Sequence, residues 1–351
     1  MADSHLSREI QEQPAVLQTV LEREMEAVCS LAEQLRQRAP RAAPRYIVLA
    51  ARGSSDNAAR YGQYLLGAFN GFTAALATPS LYTLYRRPPS LVDALVIGVS
   101  QSGQSPDIVS VIAEGRSQGA LTVAITNDTN SPLAQAAQTT LNLNAGPEYS
   151  LAATKTYTSS LMILAMLSAA WAGDSERLAA LQRVPQWAAA VLEDLPRVLK
   201  IAERYRYMQA CVVTGRGFNY ATAFEIALKL KELTYTMAEP YSSADFQHGP
   251  VAIVEQGFPV LAVLPEGAAA PDMLAFLKSL QAREPELLVI SSLDEALALA
   301  QSPLPLPAGI PEWLSPLLAI LPGQMFALGL TLARGYDPDH PRGLRKVTLT
   351  R

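Results

Sequence analysis

The chain has 351 residues, of which 49% are hydrophobic and 17% charged, and its formal net charge at pH 7 is −4. This is the composition of a well-buried globular protein, and the length exceeds what one hydrophobic core usually serves, so we expect two domains. There is no basic tract or basic-aromatic stripe, so nucleic acid is not an expected partner. The N-terminus is polar and lacks the apolar core of a signal peptide.

The two cysteines, Cys29 and Cys211, have neither metal-ligand nor redox spacing. Cys29 lies in a helical pattern and Cys211 in a strand pattern, and two lone thiols are typical of a reducing cytosol. We therefore expect a cytoplasmic protein without a structural metal, and the sequence indicates no cofactor.

Short apolar segments alternate with helical patterns along most of the chain. The pattern predicts a polar-rich helix over residues 6–38, helices ending near 68 and covering 272–283, and strands over 46–51, 94–99, 121–126, 139–144, 210–214, 259–264 and 287–291. The apolar runs 161–173 and 314–332 are too short, or too interrupted by proline and glycine, to span a bilayer, and are predicted to be buried helices. The proline-rich segment 302–311 is predicted to be a loop. This alternation predicts parallel sheets covered by helices on both faces.

The pattern restarts near residue 210. The segment IVLAARGSSDNAARYGQYL is similar to CVVTGRGFNYATAFEIALK, with Arg52-Gly53 aligned on Arg216-Gly217. Either the chain holds two copies of one α/β unit, or two strand-turn-helix starts look alike. We expect two copies, over 45–173 and 205–335. A helical segment (1–44) precedes them, a helical linker (174–204) joins them, and a tail (336–351) follows.

The second copy carries charged residues on one predicted helix face. Glu225, Lys229 and Glu232 fall within roughly 60° of one another at about 100° per residue. Such a stripe is common on solvated helices, where it contributes little, but two carboxylates and an ammonium also suit a proton-transfer site. His248 follows, after a proline and two serines.

A second group of candidate residues lies in the motif SQSGQS (residues 100–105), between a strand and a helix. Ser105 fits the N-cap and Pro106 the first helical position, while Gly103 permits a backbone turn. This is either an ordinary capping turn or a phosphate site at a helix N-terminus. Ser54 and Ser55, in the turn after the first strand, add hydroxyls to the same expected crevice.

The motifs RGSS, SQSGQSPD, AATKTYT, GRG, EIALKLKELTY, AEPYSSADFQHGP and DPDHPRGLRKVT occur in this order. Together they resemble the SIS (sugar isomerase) family, specifically the isomerase half of glutamine–fructose-6-phosphate aminotransferase. The resemblance spans about residues 45–351. It implies two tandem SIS subdomains, each a parallel sheet flanked by helices, a phosphorylated sugar as ligand, and a homodimer.

The resemblance also implies roles for the residues that match its motifs. The residues that bind the sugar phosphate in the family form what we call the phosphate grip. They are matched here by Ser100, Gln101, Ser102 and Ser105, with Ser55 beside the sugar.

The catalytic residues are matched in the same way. Glu232 matches the residue that moves a proton between C1 and C2, and Lys346 the lysine that forms an imine with the ketose. His248 matches the ring-opening histidine, which in the family's dimers comes from the neighbouring subunit. Lys229 and Glu225 match residues that support the open-chain sugar.

Two departures from the synthase bear on activity. Ala153 stands where the synthase has a serine. The synthase also carries a glutaminase domain before its SIS pair, and that domain begins with a catalytic cysteine. Here position 2 is Ala2 and only residues 1–45 precede the first predicted strand, so we expect this chain to lack a glutaminase domain. We therefore expect no use of glutamine and predict the reverse reaction, glucosamine 6-phosphate plus water giving fructose 6-phosphate plus ammonia. The alternatives are a galactosamine-6-phosphate deaminase, a fructosamine-6-phosphate deglycase, and a non-catalytic sugar-phosphate sensor.

Overall fold

The computed structural model describes residues 4–39 and 43–346, so Ala2 and residues 347–351 of the predicted tail lie outside the described residues. The chain forms two compact units. Among the described residues, we call 15–39, 43–148, 155–183 and 345–346 the N-terminal unit, and 4–14, 149–154 and 184–344 the C-terminal unit. Helix α1 (His5–Arg36) confirms the predicted first helix and contributes residues to both units.

The N-terminal unit contains a five-stranded parallel sheet in the order β2-β1-β3-β4-β5. Its strands are β1 (Tyr46–Ala50), β2 (Ala74–Leu76), β3 (Ala94–Val99), β4 (Leu121–Thr126) and β5 (Thr139–Asn142). Its helices are α2 (Gly53–Asn70), α3 (Ser80–Thr83), α4 (Pro106–Ser117), α5 (Pro132–Ala136), α6 (Lys155–Ala172) and α7 (Ser175–Leu181). Every residue of β3 is buried, as expected for a central strand covered on both faces.

The C-terminal unit repeats this architecture with the strand order β10-β9-β8-β6-β7, again all parallel. Its strands are β6 (Ala210–Gly215), β7 (Met237–Ser242), β8 (Pro259–Val263), β9 (Glu286–Ser291) and β10 (Ser302–Pro305). Its helices are α8 (Val184–Leu192), α9 (Leu195–Glu203), α10 (Tyr220–Thr234), α11 (Ser243–Gln247), α12 (Ala270–Leu280), α13 (Asp294–Leu297) and α14 (Ser315–Ala333). Short 3₁₀ helices cover Gly217–Asn219, Pro250–Ile253, Gln281–Arg283 and Glu312–Leu314.

The two units share the same backbone turn after their first strand. Arg52 has φ −142° and ψ 154°, and Arg216 has φ −141° and ψ 156°. The glycines that follow, Gly53 and Gly217, have φ values of 55° and 60°, a region that favours glycine. Two five-stranded parallel sheets with matching turns confirm the predicted fold class of two tandem α/β units.

One apolar helical segment of the C-terminal unit passes the length and hydropathy test for a membrane span. Within the described chain this is Glu312–Ala333, and 89% of its most apolar window is buried inside the protein. Burial of this kind is typical of a core helix. The predictions of buried helices over 161–173 and 314–332 are confirmed by α6 and α14.

The prediction that 302–311 is entirely loop was wrong for its first four residues. These residues form β10, which pairs with β9 at the edge of the sheet. Proline is tolerated on an edge strand, where a missing N–H costs no ladder bond, so Pro303 and Pro305 do not exclude a strand. The side chain of Leu304 is fully buried, which anchors the segment to the core.

Candidate active site

The loop between β3 and α4 carries the predicted SQSGQS motif. Ser105 is the N-cap of α4 and Pro106 its first residue, but the Ser105 side chain makes no capping bond. The hydroxyl of Ser100 accepts a hydrogen bond from Gly103 N–H at 3.1 Å, and that of Ser102 from Gln104 N–H at 3.3 Å. Two serines thus stabilise the turn from within, while the Ser105 hydroxyl is not used as a cap.

The β3–α4 loop is also held from outside by the segment after β4. The carbonyl of Gly103 accepts from Leu133 N–H and that of Gln101 from Asn127 N–H, both at 3.1 Å. Gly103 has φ 62°, and a Cβ there would lie 2.0 Å from the Ser131 hydroxyl oxygen. Only glycine fits at this position, so the loop backbone is fixed before any ligand binds.

The turn after β1 lies beside this loop, since β1 and β3 are adjacent parallel strands. Ser54 and Ser55 occupy the first turn of α2 and are half-buried. The Arg52 guanidinium donates to the fully buried Asp107 carboxylate at 2.8 Å, linking the starts of α2 and α4. The two turns that carry the hydroxyls therefore both begin at the carboxyl edge of the same sheet. This edge is where α/β proteins bind ligands.

Lys346, the predicted imine-forming lysine, contacts a carboxylate in the same unit. Its Nζ donates to Oε2 of Glu148 at 2.9 Å, and the Thr156 hydroxyl donates to the same oxygen at 2.7 Å. The backbone N–H of Thr156 donates to Oε1 at 3.2 Å, and the Glu148 side chain is fully buried. The residue spacing around GPEYS (residues 146–150) does not indicate a site at Glu148, because its partner Lys346 lies far along the chain.

The stripe on α10 forms a compact charged cluster in the C-terminal unit. Lys229 Nζ lies 2.6 Å from Glu232 Oε2 and 3.4 Å from Glu225 Oε1. Glu225 and Lys229 are buried, whereas the Glu232 side chain is 22% exposed. Burial alone would lower the pKa of the Lys229 ammonium, but the charges of Glu232 and Glu225 outweigh it and raise this pKa. Lys229 therefore stays charged and fixes the accessible carboxylate of Glu232.

His248 follows helix α11 in the C-terminal unit and is exposed. Its backbone N–H donates to the Asp245 carbonyl at 3.1 Å, and the described residues make no hydrogen bond to its imidazole. The ring is thus available to an outside group. Gly249, with φ 135°, directs the chain away immediately afterwards.

The predicted residues thus fall into two groups. Ser54, Ser55, the loop 100–105 and Lys346 belong to the N-terminal unit, and the α10 cluster and His248 to the C-terminal unit. In the described part of the chain no cluster of three or more His, Cys, Asp or Glu side chains could hold a metal ion.

Two units with parallel sheets, the first with a hydroxyl-rich loop at the carboxyl edge of its sheet, define the chain as a tandem α/β protein. The SIS domain family matches residues 42–170 and 209–333. The chain belongs to this family, as its motifs indicate.

Comparison with a curated relative extends this assignment. The chain is 33% identical over 346 residues to glutamine–fructose-6-phosphate aminotransferase [isomerizing] of Methanothermobacter thermautotrophicus, and the alignment covers 98% of this chain but 57% of that protein. The chain therefore spans little more than half of its relative's length, corresponding to the isomerase part.

Solved structures agree with the fold. A Silicibacter pomeroyi protein proposed to be a phosphosugar isomerase superposes with a TM-score of 0.85 at 35% identity, covering 96% of this chain and 100% of that one. Glucosamine-6-phosphate deaminase of Thermotoga maritima superposes with a TM-score of 0.77 over 99% of this chain and 100% of that one. At 21% identity, the latter similarity concerns the fold alone. Relatives and structural neighbours are thus of the sugar-phosphate isomerase type, which supports an enzyme.

Proposed function

We propose that the chain is an amino-sugar phosphate deaminase/isomerase that converts glucosamine 6-phosphate and water to fructose 6-phosphate and ammonia. The observation that carries the proposal is the accessible Glu232 carboxylate, held 2.6 Å from a buried ammonium at Lys229. A carboxylate fixed in this way can take a proton from one carbon and return it to the next.

The phosphate is assigned to the fixed loop of the N-terminal unit. Ser100, Gln101, Ser102 and Ser105 are the proposed grip, and the positive end of α4 favours an anion there. Ser54 and Ser55, at the start of α2, add hydroxyls beside the sugar. Because the loop backbone is already braced by its own hydrogen bonds, binding costs little ordering.

The proton transfer is assigned to the α10 cluster. His248 opens the ring by moving the O1 proton to the ring oxygen, and the bond between C1 and the ring oxygen breaks to give the aldehyde. Glu232 then takes the C2 proton and delivers it to C1, while one proton of the amine passes to O1. The C1 aldehyde becomes an alcohol, and the C2 amine becomes a ketimine. Lys229 and Glu225 support the open chain, and the ammonium stabilises the negative charge that develops on oxygen.

The release of nitrogen is assigned to Lys346. Its amine adds to the C2 ketimine and ammonia leaves, which gives an imine between Lys346 and the ketose. Water then adds to C2, the lysine amine departs and fructose 6-phosphate is formed. Glu148, 2.9 Å from the amine, orients it for this exchange.

We propose that the chain releases and accepts nitrogen as ammonia and does not take it from glutamine. Of the two cysteines, Cys29 is exposed but lies within helix α1, where it has no N-terminal amine of its own to act as a base, and burial raises the pKa of the Cys211 thiol to about 12. Neither suits nucleophilic attack on glutamine. Because water is abundant and free ammonia scarce in cells, deamination is the expected direction. Two free thiols also support the proposed cytoplasmic location.

The alternatives of the same chemistry are galactosamine-6-phosphate deaminase and fructosamine-6-phosphate deglycase, since Ala153 leaves the contacts to the sugar hydroxyls open. A sensor that binds the phosphate without turnover uses only the loop of the N-terminal unit. A buried, charged cluster such as Glu225–Lys229 is costly to maintain, and this favours a catalytic role over a sensor.

A homodimer is proposed as the working form, with His248 serving the neighbouring subunit. The support is its exposed imidazole, which makes no hydrogen bond with the described residues. Mixing a Glu232→Gln protein with a His248→Asn protein tests this. Partial recovery of activity in the mixture is expected, and no recovery after subunit exchange would contradict it.

The experiment that tests the reaction follows the C2 proton. Fructose 6-phosphate and ammonium, or glucosamine 6-phosphate alone, are incubated in deuterated water and analysed by NMR. Wild-type protein should introduce deuterium at the transferred carbon, and Glu232→Gln should lower this rate by a factor of about 10² or more. Glu239→Gln, an exposed carboxylate on β7, is the control. Equal exchange by Glu232→Gln and wild type would reject the assignment.

A further inference from the structure

The C-terminal unit contains a counterpart of the SQSGQS loop that the proposed function does not use. It joins β8 to α12 and reads EGAAAPD (residues 266–272), against SGQSPD (residues 102–107) in the N-terminal unit. In both units a glycine with positive φ precedes a Pro-Asp pair at the helix start. Arg216 contacts Asp272 at 2.8 Å, as Arg52 contacts Asp107 at 2.8 Å.

The second loop has three alanines and no hydroxyl side chain, yet its backbone N–H groups bind a carboxylate of the same chain. The Glu312 carboxylate accepts from Ala268 N–H at 2.6 Å through Oε2 and from Ala269 N–H at 3.3 Å through Oε1. These donors directly precede α12, an eleven-residue helix that begins at Ala270. The carboxylate therefore occupies the place that a bound anion takes at a helix N-terminus.

The surrounding backbone is shaped for this carboxylate. A Cβ on Gly267 would lie 2.4 Å from the Glu312 carboxylate, so only glycine allows the close approach. A Cβ on Gly217, in the turn after β6, would lie 3.8 Å from Oε1. The carboxylate thus lies between the same two turns, one after each of two adjacent strands, that carry the hydroxyls in the N-terminal unit.

We propose that residues 266–269 form a second anion site, of the phosphate-monoester class, which the Glu312 carboxylate fills from within the chain. A carboxylate and a phosphate oxygen accept the same backbone N–H bonds, so one replaces the other. Wild-type protein therefore has this loop closed to outside anions. Removal of Glu312 opens the site to inorganic phosphate, selenate or another tetrahedral oxyanion.

Crystals of the full chain soaked in selenate test the proposal, because anomalous difference density reads each loop separately. Glu312→Ala should show a selenium peak bonded to Ala268 N–H and Ala269 N–H, and wild type should show none there. Glu266→Ala removes one negative charge from the same loop but leaves Glu312 in place, and should match wild type. A peak in wild type, or none in folded Glu312→Ala, would overturn the proposal.

The same map separates this proposal from the proposed function. A selenium peak at residues 100–105 tests only the proposed phosphate site of the N-terminal unit. If that peak is absent, the result at residues 266–269 still tests the second anion site.

If Glu312→Ala is too unstable to crystallise, its melting temperature supplies the readout. At constant ionic strength, phosphate should raise the melting temperature of Glu312→Ala by ~2 °C or more beyond the rise in Glu266→Ala. Equal shifts in both variants would also overturn the proposal.

Discussion

The amine of Lys346 and the carboxylate of Glu148 lie 2.9 Å apart, and the Glu148 side chain is fully buried. Thr156 contributes its hydroxyl and its backbone N–H to the same carboxylate. A lysine near the end of a chain is usually mobile and solvated. The Lys346 amine is instead held in one position by a carboxylate that is itself fixed. Imine formation at a defined carbon requires an amine positioned in this way.

Glu148→Gln should separate this positioning role from a structural one. The amide keeps the shape but removes the charge that holds the amine, so kcat should fall ~10²-fold with little change in KM. Borohydride reduction with fructose 6-phosphate should trap less lysine adduct than in wild type. Glu24→Gln, a half-buried carboxylate of the same unit bonded to Asn144, is the control. Unchanged trapping in Glu148→Gln would contradict the role.

Gly103→Ala should disrupt the phosphate loop. The new Cβ would lie 2.0 Å from the Ser131 hydroxyl oxygen at a φ of 62°, so the loop must shift and the grip is lost. KM for the sugar phosphate should rise at least about tenfold, an effect of ~1.4 kcal/mol. Gly119→Ala is a matched control, with φ 80° but nothing within 4 Å of the added Cβ. Similar KM values in both variants would argue against a phosphate role for the loop.

Lys229→Met should destabilise the fold as well as abolish activity. It leaves the fully buried Glu225 without its cation, at a cost of about 3–5 kcal/mol in unfolding free energy, measured by urea denaturation. The double variant Glu225→Gln/Lys229→Met should regain much of this stability but not activity. If the single variant unfolded like wild type, the cluster would not have the predicted energetic role.

The raised pKa of Lys229 also predicts the pH range in which the stability of the protein changes. Its stabilising contribution is complete below the unfolded-state pKa of about 10.4 and is lost as the pH rises through the higher folded-state pKa. Between pH 7 and 9 the cluster should therefore leave stability unchanged, and the stability difference between wild type and the double variant should be constant there. A steep change within that interval would show that Lys229 titrates earlier than expected.

The two thiols should differ sharply in reactivity. Cys29 is exposed on α1, whereas burial raises the pKa of Cys211 to about 12, so almost no thiolate forms at pH 8. A chromogenic disulfide reagent should titrate one thiol per native chain and both after denaturation. Cys29→Ser should leave no fast-reacting thiol. Fast labelling of Cys211 in native protein would contradict its burial.

Much of the fold was predictable because buried parallel strands are short, apolar and bounded by turns. The spans Ala94–Val99 and Leu121–Thr126 match the prediction residue for residue. Of the four edge strands in the described part of the chain, β5 was predicted, over 139–144, but β2, β7 and β10 were not. Ala74–Leu76 has three residues with none fully buried, and Met237–Ser242 and Ser302–Pro305 contain proline, so their pairing depends on a neighbouring strand that local patterns do not reveal.

The candidate site was predictable only where its residues are close in sequence. Helical spacing brings Glu225, Lys229 and Glu232 together, and the structure confirms this contact. Glu148 was missed because its contact with Lys346 joins residues far apart in sequence, which local periodicity does not encode. The roles of these residues and the domain boundaries 1–44, 45–173, 174–204, 205–335 and 336–351 stay predictions.

The most direct test of the proposed function is ammonia release by the purified chain from a panel of amino-sugar phosphates. Glucosamine 6-phosphate should yield fructose 6-phosphate and one ammonia per turnover, and glucosamine itself should be a far poorer substrate. In reverse, fructose 6-phosphate should give glucosamine 6-phosphate with ammonium but not with glutamine. No ammonia from any amino-sugar phosphate, or product formed from glutamine by this chain alone, would contradict the proposal.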